Sequence, residues 1–378
     1  MRKTKLLLFI ALLLGTVGAA KADEVTADKV VLNVYDNQVL TPGGDAIYIS
    51  VSLESASDVT YTAYQMSFEL PEGLEVCMTD DSYDVYMYGN GGFYPRTGSD
   101  RVGWTYKHTL GSNVVAGNVL NVTCYSSTNA LFADTSGDLF DFYVKATPYL
   151  KPGDVEIKVK NVKFVTPDET KYLPEDYVST AVQASATSTL TLKVSDTNKY
   201  GTCILPFDYA LPADGSLEVY TCDTYTDDAL VLTKVTEMAA YTPYILYSEN
   251  GFSATISGTV DAAKYPAGGT VKSGHLVGTL VPCELTAGSY VMQNQGHGPM
   301  FYRVGDVPFA LSAGKCYVVL PEGTNVASLR IGGSTTGIES IHNSEFTIQN
   351  CVYNLLGQPV STMQPGRIYI VNGRKIIK

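Results

Sequence analysis

The sequence of 378 residues contains few charged side chains, and positive charge is the scarcer kind. Charged residues make up 17% of the chain, and 26 basic residues are outnumbered by 38 acidic ones, for a formal net charge of −12. An acidic surface repels a phosphate backbone, because nucleic-acid binding depends on neutralising phosphates with Lys and Arg. We therefore expect no nucleic-acid partner.

The sequence also has little of what catalysis and metal binding require. It contains four His and one Trp, and it lacks a nucleophile elbow, a zinc-protease motif, a phosphate-binding loop and a dinucleotide fingerprint. The doublets Asp80-Asp81 and Asp227-Asp228 do not form an acid–base pair, because adjacent residues of a strand point to opposite faces. One acidic trio matches no EF-hand calcium loop: Asp134, Asp138 and Asp141. We expect no enzyme activity, no cofactor and no metal.

The seven cysteines are scattered, with no C-x-x-C pair and no metal-ligand spacing. An odd number of cysteines cannot pair completely. The sequence leaves two alternatives open. Either one or two disulfides form, for which Cys203 and Cys222 are candidates within one hairpin, or the cysteines are buried thiols that pack as small apolar residues.

The N-terminus is typical of a secretory signal peptide. Three basic residues precede the apolar run 6–14, and Ala20-Lys21-Ala22 is a small-x-small cleavage site. The apolar run is shorter than the roughly 20 residues that span a bilayer. We expect residues 1–22 to be removed, the mature chain to have no transmembrane anchor, and the protein to be secreted or displayed at the cell surface, with the periplasm as the alternative.

Helical periodicity is almost missing after residue 28, whereas short alternating or β-branched runs separated by Gly, Pro, Asn and Asp occur throughout. The pattern predicts an all-β protein. The runs include residues 30–34, 46–53, 64–70, 155–159, 187–194, 244–247, 316–320 and 346–353. We divide the mature chain into a β-sandwich at 23–194, a second β-rich domain at 195–333 and a small C-terminal unit at 338–378. In that unit Asn372-Gly373 predicts a type I′ hairpin turn.

An aromatic cluster between residues 83 and 108 is the candidate binding site. In an extended strand Tyr86 and Tyr88 share one face, and Trp104 and Tyr106 share another. Such rings can stack on sugar C–H faces while nearby polar side chains bind hydroxyl groups. The alternative is that Trp104 and Tyr106 fill the sandwich core and the tyrosines cover an edge.

The first domain resembles the cohesin-like and carbohydrate-binding-module-like sandwiches of anaerobic bacteria. The similarity is carried by the early strand 30–35, the turn Thr41-Pro42-Gly43-Gly44, the strand 47–53 and the segment 64–74, which ends in Pro71-Glu72-Gly73-Leu74. The resemblance implies a jelly-roll or immunoglobulin-like sandwich, and a carbohydrate or a surface protein as the partner.

The rest of the chain resembles two other groups of bacterial proteins. The second domain is similar to the β-rich domain of Bacteroidales surface proteins, through Tyr200-Gly201-Thr202-Cys203-Ile204-Leu205-Pro206-Phe207. The third unit is similar to the C-terminal sorting domains of type IX secretion, through segments 352–360 and 365–371 and the basic end 375–378. This similarity implies delivery by the secretion machinery through the C-terminal tail.

These observations predict a non-enzymatic exported protein whose first domain binds a carbohydrate or a protein partner. Two alternatives come from other classes of protein. One is a structural or adhesive surface protein in which the domains act as spacers. The other is a component of a polysaccharide-degrading enzyme, which would require hydrolysis that a carboxylate substitution abolishes.

Overall fold

The structure is a computed structural model, and it describes residues 28–55, 58–78, 87–88, 108–116, 118–132, 134–226, 228–332, 352–353, 359–360, 368–371 and 374–377. Strands form nearly all of the regular structure in these ranges, and two three-residue 3-10 turns are present at Tyr35–Asn37 and Ala267–Gly269. The all-β prediction is confirmed. Within the described ranges, no helix has the length and apolar character needed to cross a membrane. The predicted signal peptide lies outside them.

The first eleven strands form a sandwich of two antiparallel sheets. The first sheet has the order β1-β2-β8-β4, with β5 also paired to β8, and the second has the order β10-β9-β3-β7-β6, with β11 also paired to β9. The strands are β1 (Lys29–Val34), β2 (Ile47–Glu54), β3 (Ala63–Glu69), β4 (Leu74–Val76), β5 (Met87–Tyr88), β6 (Thr109–Val115), β7 (Val119–Tyr125), β8 (Gly137–Ala146), β9 (Gly153–Val165), β10 (Lys171–Tyr172) and β11 (Tyr177–Ala184).

The alternation of apolar and polar residues determines which face of each strand is buried. In β3, Tyr64, Met66 and Phe68 point into the core, whereas the residues between them point away from it. The ring of Phe68 lies 5.3 Å from the ring of Phe142, which comes from the opposite sheet. Each buried aromatic or aliphatic side chain of this kind stabilises the fold by about 1.5–3 kcal/mol, so the shared core holds the two sheets together.

One acidic side chain is buried at the edge of the sandwich core. Asp28 is 4% exposed, and its carboxylate accepts hydrogen bonds from the hydroxyl of Tyr61 and, at 2.6 Å, from that of Ser55. Burial of the Tyr61 ring, followed by the hydrogen bond to Asp28, raises the pKa of the Tyr61 hydroxyl far above its usual value. The hydroxyl therefore stays protonated and remains a donor to the buried carboxylate.

The next sixteen strands build a second unit around a large sheet. They are β12 (Thr187–Val194), β13 (Tyr200–Ile204), β14 (Tyr209–Ala210), β15 (Glu218–Tyr225), β16 (Ala229–Val235), β17 (Glu237–Met238), β18 (Pro243–Tyr247), β19 (Phe252–Thr259), β20 (Thr270–Ser273), β21 (Leu276–Thr279), β22 (Cys283–Leu285), β23 (Ser289–Asn294), β24 (Pro299–Arg303), β25 (Phe309–Leu311), β26 (Lys315–Val319) and β27 (Ser328–Gly332). The large sheet has ten strands in the order β13-β18-β15-β16-β27-β24-β23-β26-β21-β20.

The ten-stranded sheet curls so that β13, the strand at one end, lies beside β26, the third strand from the other end. The backbone N–H of Ile204 in β13 donates to the carbonyl of Gly314, just before β26, at 3.2 Å. The hydroxyl of Thr202 donates to the carbonyl of Cys316 at 3.3 Å and accepts from its N–H at 3.1 Å. One threonine side chain thus joins two strands that do not pair as a ladder.

Strand β12 ends the first domain in the sequence prediction, but in the structure it pairs with β19 over its full length. Its apolar residues Leu190, Leu192 and Val194 lie in a core with residues of β13, β15 and β18. Two hydrogen bonds connect its first residues to the sandwich: the Ser188 hydroxyl donates to the Pro148 carbonyl at 2.6 Å, and the Thr189 N–H donates to the Pro42 carbonyl at 2.9 Å.

The described C-terminal residues form a small sheet of four strands. They are β28 (Val352–Tyr353), β29 (Pro359–Val360), β30 (Ile368–Val371) and β31 (Arg374–Ile377), in the order β29-β28-β30-β31. Val371 lies opposite Arg374, which is the register that a two-residue turn at Asn372-Gly373 predicts. The turn residues themselves lie outside the described residues.

Candidate binding surfaces

The predicted aromatic site falls mostly outside the described residues. Tyr86, Trp104 and Tyr106 lie there, and their role stays a prediction. Tyr88 is in β5, where its backbone pairs with Asp141 of β8 in the first sheet.

Three other tyrosines come together on the outer face of that same sheet. Tyr48 of β2 lies opposite Tyr143 of β8, with ring centroids 5.7 Å apart, and the ring of Tyr35 follows at 4.9 Å from Tyr48. Tyr35 is 39% exposed, and the other two rings are partly buried. We call these three residues the tyrosine strip.

Polar groups occupy the neighbouring rows of the first sheet. Asp141 of β8 lies opposite Ser50, which is buried, and the partly exposed hydroxyl of Ser52 donates to the carboxylate of Asp138 at 2.7 Å. Partly exposed rings beside hydroxyl and carboxylate groups have the chemistry of a sugar-binding surface. Sequence reasoning missed the strip because Tyr48 and Tyr143 are far apart along the chain. The one local signal was that Tyr48 falls on the outward positions of the predicted strand 46–53.

The outer face of the second sheet has a different character. It carries short amide and hydroxyl side chains, which we call the amide face: Gln65, Ser67, Asn113, Asn121 and Asn161. The hydroxyl of Ser67 donates to the Oδ1 of Asn121 at 2.8 Å, and the Nδ2 of Asn161 approaches the Ser67 hydroxyl at 3.4 Å. These bonds hold the side chains of Ser67, Asn121 and Asn161 in place, which lowers the entropy cost of binding a ligand there.

A cluster of ion pairs borders the amide face. The ammonium groups of Lys158 and Lys160, on β9, both contact the carboxylate of Glu69 on β3, the latter at 2.5 Å. Hydrogen bonds from Lys158 and then Lys160 lower the pKa of Glu69 from 4.5 to about 2. The cluster is solvent-exposed, so its role is to place charge at the rim of the face more than to stabilise the fold.

Among the described residues, strand β6 is an edge strand of the second sheet. It pairs with β7 along its whole length and with no other strand among the described residues. Its sequence, TLGSNVV, contains no charged residue and no proline, the residue types that usually block an open edge. Val114 and Val115 are 38% and 42% exposed. The edge therefore presents a backbone that a further strand can join.

The histidines and acidic residues that could serve catalysis or metal binding each contact a different partner and do not form a common cluster among the described residues. The Nε2 of His108 is 3.0 Å from the Ala130 carbonyl, and His275 packs edge-on against Tyr225. Asp134 accepts a hydrogen bond from the N–H of Thr135. Within the ranges that the structure describes, no three His, Cys, Asp or Glu residues are placed to hold a metal ion.

The six described cysteines are free thiols: Cys77, Cys124, Cys203, Cys222, Cys283 and Cys316. Cys203 and Cys222, the pair that the sequence left open, lie in different clusters of buried residues. Burial raises the pKa of both thiols to about 12. Cys203 and Cys222 therefore pack as small apolar residues and do not form a disulfide with each other, which is the second alternative that the sequence left open.

No family model matches the chain, and no curated protein matches it. The solved structures that match include cohesin modules, the class that the sequence of the first domain resembles. A cohesin module from a Clostridium perfringens family 33 glycoside hydrolase is 11% identical, with 42% of this chain and 96% of that chain covered and a TM-score of 0.31. A non-cellulosomal cohesin from Archaeoglobus fulgidus is 15% identical, with 41% and 91% covered and a TM-score of 0.28.

Proposed function

We propose that the chain is an exported, non-enzymatic binding protein whose first sandwich binds a protein partner along β6 and across the amide face. The observation that carries this proposal is that β6 pairs with β7 and with no other strand in the part of the chain that the structure describes. An extended peptide that adds to such an edge gains main-chain hydrogen bonds, and its alternate side chains then meet the surface beside it.

The amide face supplies the specificity that an edge alone lacks. Asn113 belongs to β6 itself and lies opposite Asn121 of β7, which in turn lies opposite Ser67 of β3. A partner paired with β6 therefore meets a row of hydrogen-bonding groups that continues inward from the edge, of which Asn121 and Ser67 are bonded to each other. Main-chain pairing provides affinity, and this row discriminates between partner side chains.

Charged residues on the edge test the proposal. The variant Asn113→Lys/Val115→Lys places two cations on β6, where they oppose strand addition. Thr180→Lys, on the exposed face of β11 in the same sheet, is the matched control. The wild type, the edge variant and the control are immobilised and exposed to extracellular and envelope proteins of the source organism. We expect the wild type and the control to retain a partner protein, and the edge variant to retain at least about tenfold less of it. Equal retention by all three forms, or no retained protein, contradicts the proposal.

The tyrosine strip favours a second candidate function, carbohydrate binding. The rings of Tyr48 and Tyr143 lie side by side on the sheet, and the ring of Tyr35, from the 3-10 turn, packs beside Tyr48. Neighbouring aromatic rings of this kind can stack on sugar units. On a glycan array, Tyr35→Ala should lose the signal of the wild type, whereas Tyr125→Ala, an exposed tyrosine of the other sheet, should keep it. Trp104→Ala tests the predicted aromatic cluster in the same assay. Unchanged binding by the Tyr35 variant would exclude the strip.

We further propose that the protein acts at the cell surface or in the medium, with the periplasm as the alternative, and that the C-terminal unit addresses it to the secretion machinery. The signal-peptide pattern of residues 1–22 and the sorting-like segments 352–360 and 365–371 support this proposal. Fractionation of the source cells into medium, surface, periplasm and cytoplasm, followed by detection of the chain, distinguishes these locations. Recovery only from the cytoplasm would contradict all of them.

A further inference from the structure

The second unit contains a groove of about 330 Å³ between β13 and strands β23, β25 and β26. Ligand sites in proteins usually occupy roughly 300–1,000 Å³ and combine apolar walls with a few polar groups. The apolar walls here include the partly exposed rings of Tyr200 and Phe309. The polar side chains that line the groove are Asn198, Thr202, Gln293, Asn294, Ser312 and Lys315.

Lys315 gives the groove its charge. Its side chain is exposed, it lies at the start of β26, and it makes no ion pair or hydrogen bond among the described residues. None of the described side chains that line the groove is acidic. In a chain with a net charge of −12, a concave surface with one uncompensated cation and no carboxylate selects for an anionic group.

The amide groups are held in place around this cation. The Nδ2 of Asn294 donates to the Oδ1 of Asn198 at 2.9 Å, which joins the end of β23 to the segment before β13. Gln293 accepts a hydrogen bond from Gln295 at 2.9 Å. Amides can both donate to and accept from hydroxyl groups. A ligand that suits this groove therefore carries several hydroxyls, one apolar face and one negative charge.

We propose that this groove binds a hexuronic acid unit, with its carboxylate at Lys315, its hydroxyls at Asn198 and Asn294, and its C–H face against Tyr200 or Phe309. The site is independent of the sandwich and its proposed partner, because no residue of the first unit lines it. A neutral hexose lacks the charge, and a simple carboxylate lacks the hydroxyls and the apolar face, so each should bind more weakly.

Titration of the full chain with D-glucuronate, D-glucose and acetate tests this assignment. We expect the Kd for glucuronate to be at least about tenfold lower than for glucose or acetate. Lys315→Gln should weaken glucuronate binding about tenfold and leave glucose binding unchanged. Lys272→Gln, which removes an exposed lysine of β20, should change neither, and Asn294→Ala should weaken the binding of both sugars.

Three results would overturn the assignment. Equal affinity for glucuronate and glucose would show that Lys315 does not select the ligand. Acetate binding as tight as that of glucuronate would identify a bare carboxylate site. A Kd for glucuronate above about 10 mM, or an unchanged Kd in the Lys315 variant, would exclude the groove as a sugar site. None of these results depends on partner binding at β6, so the two proposals fail separately.

Discussion

The phenol of Tyr149, at the end of the sandwich, lies directly over the Cα of Gly314 in the second unit, so that a Cβ at Gly314 would overlap the hydroxyl. The backbone of Tyr149 is held as well, because its carbonyl accepts a hydrogen bond from the hydroxyl of Tyr265 at 2.6 Å. Burial, with the nearby thiols of Cys203 and Cys316, raises the pKa of the Tyr149 hydroxyl. This contact joins the two large units.

Gly314→Ala should therefore cost more stability than an ordinary glycine replacement. Gly314 and Gly323 both have positive φ, 77° and 89°, but a Cβ at Gly323 would meet nothing within 4 Å. Both alanine variants pay for the left-handed backbone, and only Gly314→Ala adds the overlap, worth about 1–3 kcal/mol. Chemical unfolding of the two variants measures the difference. Equal losses of unfolding free energy would mean that Tyr149 moves aside freely.

The Thr202 hydroxyl should contribute more to the unfolding free energy than the hydroxyl of an exposed threonine does. Thr202→Val keeps the shape but leaves the N–H and the carbonyl of Cys316 without their side-chain partner, which costs about 1–3 kcal/mol for a buried polar group. Thr233→Val, at an exposed position of β16, is the control and should change the unfolding free energy little. The idea that Thr202 closes the curled sheet fails if the two variants unfold at the same denaturant concentration.

The ion pairs of Glu69 predict a pH dependence. Because the folded-state pKa of Glu69 is about 2, below its ordinary value of 4.5, these pairs contribute fully above pH 4.5 and are lost as the pH falls towards 2. Glu69→Gln should flatten the stability profile in this window and lower the unfolding free energy at neutral pH by the small amount that these exposed pairs contribute. Glu156→Gln removes a carboxylate from β9 and controls for net charge. An NMR titration of Glu69 with a midpoint near 4.5 would contradict the pairing.

Thiol reactivity should divide the cysteines into two groups. In a Cys351→Ser background, Cys77 and Cys283 are partly exposed and should react with a small neutral disulfide reagent, Cys77 slowly because burial raises its pKa. The four buried thiols should react only after unfolding, because the pKa of three of them is raised to about 12 and that of Cys316 is raised well above its usual value. Fewer than six thiols in the unfolded, unreduced protein would reveal a disulfide.

Removal of residues 338–378 should alter delivery and leave the preceding units folded. The chain from 332 to 337 is rich in Gly, Ser and Thr, and the described C-terminal strands pair only with one another. A truncated chain with the circular dichroism and unfolding midpoint of the full chain, but recovered from a different cell fraction, is the expected result. Aggregation of the truncated chain would mean that the tail is part of the second unit.

The sequence by itself determined the all-β class and located several of the strands, together with the face that each of them buries. The predicted run 187–194 coincides with β12, and the run 64–70 differs from β3 by one residue at each end. Both patterns are local: alternation with a period of two identifies the strand and its apolar face, and Gly or Pro turns mark its ends. The same local logic predicts a hairpin turn at Asn372-Gly373.

Only the tertiary structure decided which strands pair. Pairing joins residues that are distant in the chain, and the sequence of one strand does not specify which other strand it pairs with. The alternating pattern of β12 predicts that one of its faces is apolar, but it does not predict which core buries that face. In the structure β12 pairs with β19, and apolar side chains of β13, β15 and β18 cover its apolar face. The tyrosine strip arose in the same way. Burial of Ile47 and Val144 as opposed residues fixes the register of β2 and β8, and that register places Tyr48 beside Tyr143 on the outer face.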